Sequence, residues 1–387
     1  MGLFDKIFGN APKPDEAALR DFFHTFTAYT PVFHSFTGGI YESERVRSAI
    51  DAGARHASKL GVRIDGTAKP KFRNNMKHAP NEFMTWSKFM YRAWTIREVL
   101  NNLFIVPIYD EFGEVSGIYP VVPSRCEFVE YNGEPWIRYH FRNGLVGADE
   151  LKNCAIVTKF QFDNDLLGAT NRPLIPTMDL IAIQNQGIEE GVKSAATFRF
   201  MARSKNFAKD GDLKKERLRF SRENFEEDNG GGLLLFPNTY DEIKQIESRP
   251  FVIDANQMAA IDRNVYNYFG VNEAILQNKA TDEELDSFFE GAIEPFAVML
   301  SEALTKMIYS NREQSEGNKI LVTANKLQYM STTHKVQLAA QLGDRGMIMI
   351  DEIRELFNYP PLPDNAGQRA PIRGEFYFVG EESNTTE

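Results

Sequence analysis

Residues 269–289, FGVNEAILQNKATDEELDSFF, end one helix and begin another. Up to Phe269 the spacing is that of an amphipathic helix, with Met258, Ile261, Val265 and Tyr268 or Phe269 on one face. From Thr281 the pattern resumes, and Thr281 with Glu284 has the spacing of a capping box. The restarted helix carries Leu285, Phe288, Ile293, Phe296, Leu300, Leu304 and Ile308 as one apolar stripe. Pro295 interrupts it, removing an amide donor and bending the helix. Between the two helices stand Gly270, Asn272, Glu273, Gln277, Asn278 and Lys279, with few apolar residues. Two strong helices therefore hold a polar loop, residues 270–281, in front of a kinked helix at 282–310.

Upstream, residues 177–202 read as one long helix of roughly 39 Å at 1.5 Å per residue. Gly187, Gly191 and Ala195 recur every fourth residue along it, leaving a strip without side-chain bulk. Mid-helix glycine costs about 1 kcal/mol relative to alanine, so close approach of a neighbouring helix is the reading preferred over a tolerated solvated face. Residues 204–253 leave the helix and form a small module with β-like runs LLLFP and PFVI. Between Arg199 and Arg222 the chain has nine Lys or Arg against three acids, +6 within an acidic protein. Arg203, Lys205, Lys209, Lys214, Lys215, Arg217, Arg219 and Arg222 make up this docking candidate, for phosphate or an acidic partner. A solvated helix face is the competing reading. Asp254 and Gln257 then resemble a capping box opening the returning helix.

The first half is α+β. Residues 15–41 show no clear period and are read as a mobile arm. From Glu42, Val46, Ala49, Ile50, Gly53, Ala54, Ala57 and Leu60 share one helical face. A second helix is expected after Pro80 and Asn81, followed by a hairpin around DEFGE and two further β-like stretches, CEFVEYNGEPWIRYHF and CAIVTKFQF. Near the end, KILVTANKL reads as a strand, followed by two helical stretches, the stop NYPPLPDNAG and an acidic tail.

With 387 residues, 42% hydrophobic and 25% charged, the composition is that of a globular chain. No apolar run approaches the roughly 20 residues that span a bilayer, so no membrane association is expected. Cys126 and Cys154 suit a reducing compartment. A net charge of −10 argues against gripping nucleic acid over a wide surface, because grip comes from neutralising phosphates. The sequence has no phosphate-binding Gly-x-x-x-x-Gly-Lys pattern, no HExxH and no paired CxxC, and its six His are scattered. DNDLLG at 163–168 lacks the later Glu of a calcium loop and reads as a turn. No catalytic residue, metal or cofactor is expected.

Several separated stretches together resemble one family, the phage portal proteins of the HK97 type. HAPNEFMT, NNLFIVPIYDEFGEV and GIYPVVPSRCEFV resemble that family's wing. DLLGATNRPLI resembles the segment leading into its first stem helix, YFGVNEAIL the segment before its channel loop, and AIEPFAVMLSEAL its Pro-kinked helix. RGMIMIDEIRELFNYPPLPDNAG resembles its ending, and MGLFDKIFG its usual start. Asn272 stands where the family has Pro, Asn101 where Gly-Asn is common, and Asp351 where Asn is usual. The departure at Asn272 predicts a more mobile loop.

The resemblance implies an α+β portal fold: an α/β wing, a long helical stem, a small α/β clip and a kinked helix after a tunnel loop. Residues 1–41 would be an N-terminal arm, 42–175 the first part of the wing, 176–203 the first stem helix and 204–253 the clip. Residues 254–269 would be the second stem helix, 270–281 the tunnel loop, 282–310 the kinked helix, 311–364 the second part of the wing or crown, and 365–387 the tail. It further implies a homo-oligomeric ring, usually a dodecamer, at one capsid vertex of the virion, assembled in the host cytoplasm. Double-stranded DNA would pass through it without sequence reading, past Asn272, Glu273, Gln277, Asn278 and Lys279. The basic run would dock the terminase and the head–tail adaptor, the wing would face the major capsid protein, and Gly187, Gly191 and Ala195 would pack ring neighbours. The family leaves ATP hydrolysis to the terminase. A DNA-processing subunit or nuclease with a basic DNA-contacting module remains the alternative.

Overall fold

The computed structural model describes residues 24–29, 40–195, 199–204, 215, 219, 240–246, 255–323, 332–357 and 359–371. It divides into two compact units, residues 1–175 with 262–387, and residues 176–261.

Among the described residues, the first element of the first unit is a strand, within a segment expected to be an arm. Strand β1 (His24–Tyr29) pairs antiparallel with residues 125–131, so its backbone finds partners that local periodicity does not reveal. Helix α1 (Glu44–Ala57) buries the expected face, and Ala52 widens it. Gly53 has a packing role: a Cβ there would lie 2.5 Å from the Trp94 ring. Strand β2 (Gly61–Asp65) and helix α2 (Pro70–His78) follow, neither anticipated, because α2 has only Phe72 and Met76 to mark its buried side. Pro80 and Asn81 do not open the next helix. Asn81 Nδ2 donates to the Ile118 carbonyl at 2.9 Å, and helix α3 (Trp86–Leu100) starts later, capped by Thr85.

The DEFGE hairpin forms as β3 (Asn102–Tyr109) and β4 (Val115–Val121), with Asp110 Oδ1 accepting from the Phe112 and Glu114 amides. Strands β5 (Arg125–Tyr131) and β6 (Glu134–His140) are joined by Asn132-Gly133, both at positive φ, the two-residue turn that matches strand twist. Strand β7 (Val146–Glu150) extends that sheet, and β8 (Ala155–Thr158) lies beside β3. The sheets run β1-β5-β6-β7 and β4-β3-β8. Phe104, Val106 and Ile108 of β3 meet Phe128, Ile137 and Tyr139 in a common core. The other face of the three-stranded sheet is covered by helices, which is why β3 is almost uninterruptedly apolar.

Further along, helix α4 (Ile175–Ala195) starts in the first unit and continues through the second. It spans about 31 Å at 1.5 Å per residue, shorter than expected, because residues 199–204 form strand β9 (Arg199–Ser204) rather than more helix. Strand β9 pairs with β10 (Tyr240–Ile246), and that ladder overrides the helical reading of Phe200 and Met201. The runs LLLFP and PFVI, and Asp254, lie outside the described residues.

Helix α5 (Ala255–Tyr268) starts in the second unit and ends in the first, where α6 (Glu273–Leu276) and α7 (Asp282–Phe288) follow. A π-turn (Phe289–Ile293) joins α7 to α8 (Glu294–Ile308), so the expected kink takes the form of one wide turn directly before Pro295. Helix α8 packs on β8 and on β11 (Lys319–Thr323), which pairs with β2. Ser301 Oγ accepts from the Val322 amide at 2.8 Å and Thr305 Oγ1 from the Ile320 amide at 2.9 Å, so the helix satisfies the strand's outer edge. Helices α9 (Asn311–Ser315), α10 (Thr332–Asp344) and α11 (Ile350–Leu356) complete the unit. Asp351 on α11 accepts from the Leu362 amide at 2.8 Å, holding the PPLPDN turn.

Candidate nucleic-acid interface

Residues 270–281 are a capped turn, not an open polar loop. Gly270, at φ +69°, ends α5: its amide donates to the Asn267 carbonyl and the Val271 amide to the Tyr266 carbonyl. That is a Schellman stop, for which glycine is the usual residue. Asn272 then caps α6, its Oδ1 accepting from the Ile275 amide at 2.8 Å, and its Nδ2 donates to Glu284 Oε1 at 3.3 Å. The residue that departs from the family pattern therefore adds two bonds to the segment, against the expectation of a looser loop. Asn278, at φ +56°, stops α6 the same way, with the Lys279 amide reaching the Ala274 carbonyl at 2.8 Å. The Thr281–Glu284 capping box forms as expected and opens α7. Three of the polar residues, Asn272, Asn278 and Thr281, thus serve the backbone, because short helices need their terminal groups satisfied.

Val271 and Ile275 point inward as anchors and are buried. Asn272, Glu273, Gln277, Asn278 and Lys279 are all exposed. Gln277 Nε2 donates to Glu273 Oε1 at 2.8 Å and Lys279 Nζ to Gln277 Oε1 at 3.2 Å, so the outer surface is a short polar chain ending in one ammonium. Between residues 270 and 290 that lysine stands against six carboxylates, a local charge of −5.

Arg55 on α1 supports the turn from below and is absent from the sequence-based candidates. Its Nη1 donates to Asn278 Oδ1 at 2.8 Å while its Nε faces Asp51 at 3.0 Å. Asp51 in turn accepts from Tyr91 on α3 at 2.7 Å, a bond that pushes the Tyr91 phenol up to about 12. A chain of polar contacts thus runs from α3 through α1 to the turn. Only the fold brings residues 55 and 278 together.

A second polar group sits where the chain departs for α4 and where α5 returns. Glu98, 2% exposed, pairs with Arg97 Nη1 at 2.8 Å and with Lys159 Nζ. Lys159 lies over the rings of Phe160 and Phe269 at 4.8 and 5.1 Å, and burial lowers its pKa. Asn171 Oδ1 accepts from Asn101 Nδ2 at 2.8 Å and from the Tyr268 hydroxyl at 2.7 Å. Gly168 is obligatory beside them, since a Cβ would lie 2.1 Å from the Lys159 carbonyl oxygen. This group fixes residues 168–171 against residues 268–269, immediately before the capped turn. No sequence signal short of the fold links these residues.

Of the remaining sequence-derived candidates, Gly187, Gly191 and Ala195 all lie on α4, and Gly187 is half-buried. Arg203 is in β9, and Lys215 and Arg219 are exposed. Lys205, Lys209, Lys214, Arg217 and Arg222 lie outside the described residues. Among the described residues no group of three or more His, Cys, Asp or Glu side chains is placed to hold a metal ion. No described helix is long and apolar enough to cross a membrane.

Among curated proteins, none matches this sequence. Solved structures do resemble the fold. The neck of an empty GTA particle, computed with C6 symmetry, superposes with a TM-score of 0.57 at 16% identity, over 87% of this chain and 97% of that one. The neck of a native GTA particle, computed with C12 symmetry, gives 0.55 at 15% identity, over 82% and 91%. A crystal structure of an HK97 family phage portal protein from Corynebacterium diphtheriae gives 0.50 at 12% identity, over 79% and 100%. The family model described as phage portal protein matches residues 44–358, most of the chain, and the protein belongs to that family.

Proposed function

We propose that this chain is the subunit of a homo-oligomeric ring, a dodecamer, at one vertex of a virion capsid, through which double-stranded DNA is packaged and ejected. Membership of the portal family over residues 44–358 carries this reading. The neck resolved with twelve-fold symmetry supports the ring number. In this reading residues 270–281 face the channel. Their exposed amides and single lysine, with six carboxylates over residues 270–290, suit brief, sequence-blind contact with a polyanion. Twelve copies at −10 each give a ring of about −120, which repels phosphate along the bore. The basic run of residues 203–222 docks the terminase and later the head–tail adaptor, and the α+β first half with the late strand β11 forms the wing that faces the capsid shell. The chain itself hydrolyses nothing.

The test is native mass spectrometry with negative-stain imaging of the purified chain. Rings of about twelve 44.1 kDa subunits with an axial hole are expected. A monomer at every concentration, or DNA cleavage or ATP hydrolysis abolished by a point substitution, would favour the DNA-processing reading instead.

A further inference from the structure

Beyond Thr158 the chain forms a braced projecting loop. Thr158 Oγ1 donates to Gln161 Oε1 at 3.1 Å, and Gln161 Nε2 donates to the Asn164 and Asp165 carbonyls at 3.0 and 2.7 Å. Asn164 Oδ1 accepts from the Leu166 and Leu167 amides at 2.9 and 3.0 Å, and Leu167 is buried in the core between the sheets. The loop is therefore tied down at its base. At its tip Phe162 is 93% exposed, with Asp163 and Asp165 exposed beside it. One exposed aromatic is ordinary by itself. Its meaning comes from what lies at the other edge of the same sheet.

There the surface has an apolar hollow of about 520 Å³ lined by Ile96, Val99 and Leu100 of α3, Val122 after β4 and Phe141 after β6, with Arg142 at its rim. The order β4-β3-β8 puts β4 and β8 on opposite edges. Both end beside the start of β3, with Val121 opposite Phe104 and Thr158 opposite Asn102. Knob and hollow thus leave the same end of the sheet from edge strands roughly 10 Å apart. A ring of identical subunits needs such a pair, because one surface of each copy must meet a different surface of the next. Placement at one level on opposite edges suits neighbours related by rotation. The charges also match, two carboxylates on the knob against a guanidinium at the hollow.

We infer that a second copy of this chain fills the hollow: Phe162 of one protomer seats against Ile96, Val99, Val122 and Phe141 of the next, with Asp163 and Asp165 facing Arg142. The inference rests on the ring proposed above and names the contact that closes it.

The test pairs a cross-link with an assembly curve. Phe162→Cys combined with Val122→Cys, mildly oxidised, should give a ladder of covalent oligomers on a denaturing gel, while either single variant gives none. The native Cys126 and Cys154 are buried and do not compete. Phe162→Ala should raise the concentration at which rings form by about tenfold or more, as loss of a buried aromatic anchor does, with monomer thermal unfolding unchanged. A wild type that forms rings, together with a double-cysteine variant that yields no ladder and an unaltered assembly curve for Phe162→Ala, would overturn this contact and leave the ring standing. A wild type that stays monomeric would overturn both.

Discussion

Glu98→Gln removes one charge from the most buried ionic group described in the protein. The side chain is 2% exposed and is shared by Arg97 and Lys159, so the amide leaves two cations side by side without their carboxylate. Loss of one partner from a buried pair costs about 3–5 kcal/mol. A limit follows from the alternative open to the fold, which is to release the Lys159 proton. From a free-lysine pKa of about 10.4, deprotonation at pH 7.5 costs about 4 kcal/mol at 1.36 kcal/mol per unit. The expected destabilisation is therefore about 3–4 kcal/mol, read by urea unfolding of the unassembled chain with tryptophan fluorescence. The variant should regain stability as pH rises from about 7.5 towards the ordinary lysine range. The sign follows because Lys159, with a folded pKa below its unfolded one, binds its proton more tightly in the unfolded chain. Glu98→Gln with Lys159→Met should be more stable than Glu98→Gln alone, since the stranded ammonium is gone. A loss under about 1 kcal/mol, or no recovery in the double variant, would refute the account, because breaking this pair would then cost far less than a buried pair does.

Three further outcomes are expected. His56 packs edge-on against Phe288 at 5.5 Å, and burial is the main cause lowering its pKa to about 4. Between about pH 6.5 and 4 the unfolded chain takes up a proton that the fold refuses, so stability is lost as pH drops through that window. Partial exposure discounts the loss to about 1–2 kcal/mol, measured as the difference in pH dependence between wild type and His56→Leu; parallel curves would refute it. Gly187→Leu and Gly191→Leu should raise the ring-forming concentration on native mass spectrometry while helix content by circular dichroism is kept; wild-type assembly would return the strip to a solvated face. Replacing Lys214, Lys215 and Arg217 by Glu should slow binding to the packaging motor by about tenfold and flatten its salt dependence, with rings intact; unchanged kinetics would remove these residues from docking.

Much of this protein is fixed by patterns a few residues long. The apolar face of α1, the DEFGE hairpin, the Thr281–Glu284 box and the break at Pro295 follow from spacing and capping chemistry, which act locally. The break at Gly270 is legible for the same reason, since a glycine after an amphipathic run is a stop. What the stop leads into is not. Asn272 and Asn278 read as free polar residues in sequence, but become caps once Val271 and Ile275 find a surface to bury against. β1, and the turn of residues 199–204 from helix to strand, depend on partners about 100 and 40 residues away. The Arg97–Glu98–Lys159 group and Arg55 beneath the turn depend on separations of 61 and 223 residues. Sequence determines a segment's helix or strand state where near neighbours settle the choice, as in α1 and the hairpin. Only the tertiary structure decides which polar side chains remain for the outside world, because a polar group is spoken for only when burial brings it a partner.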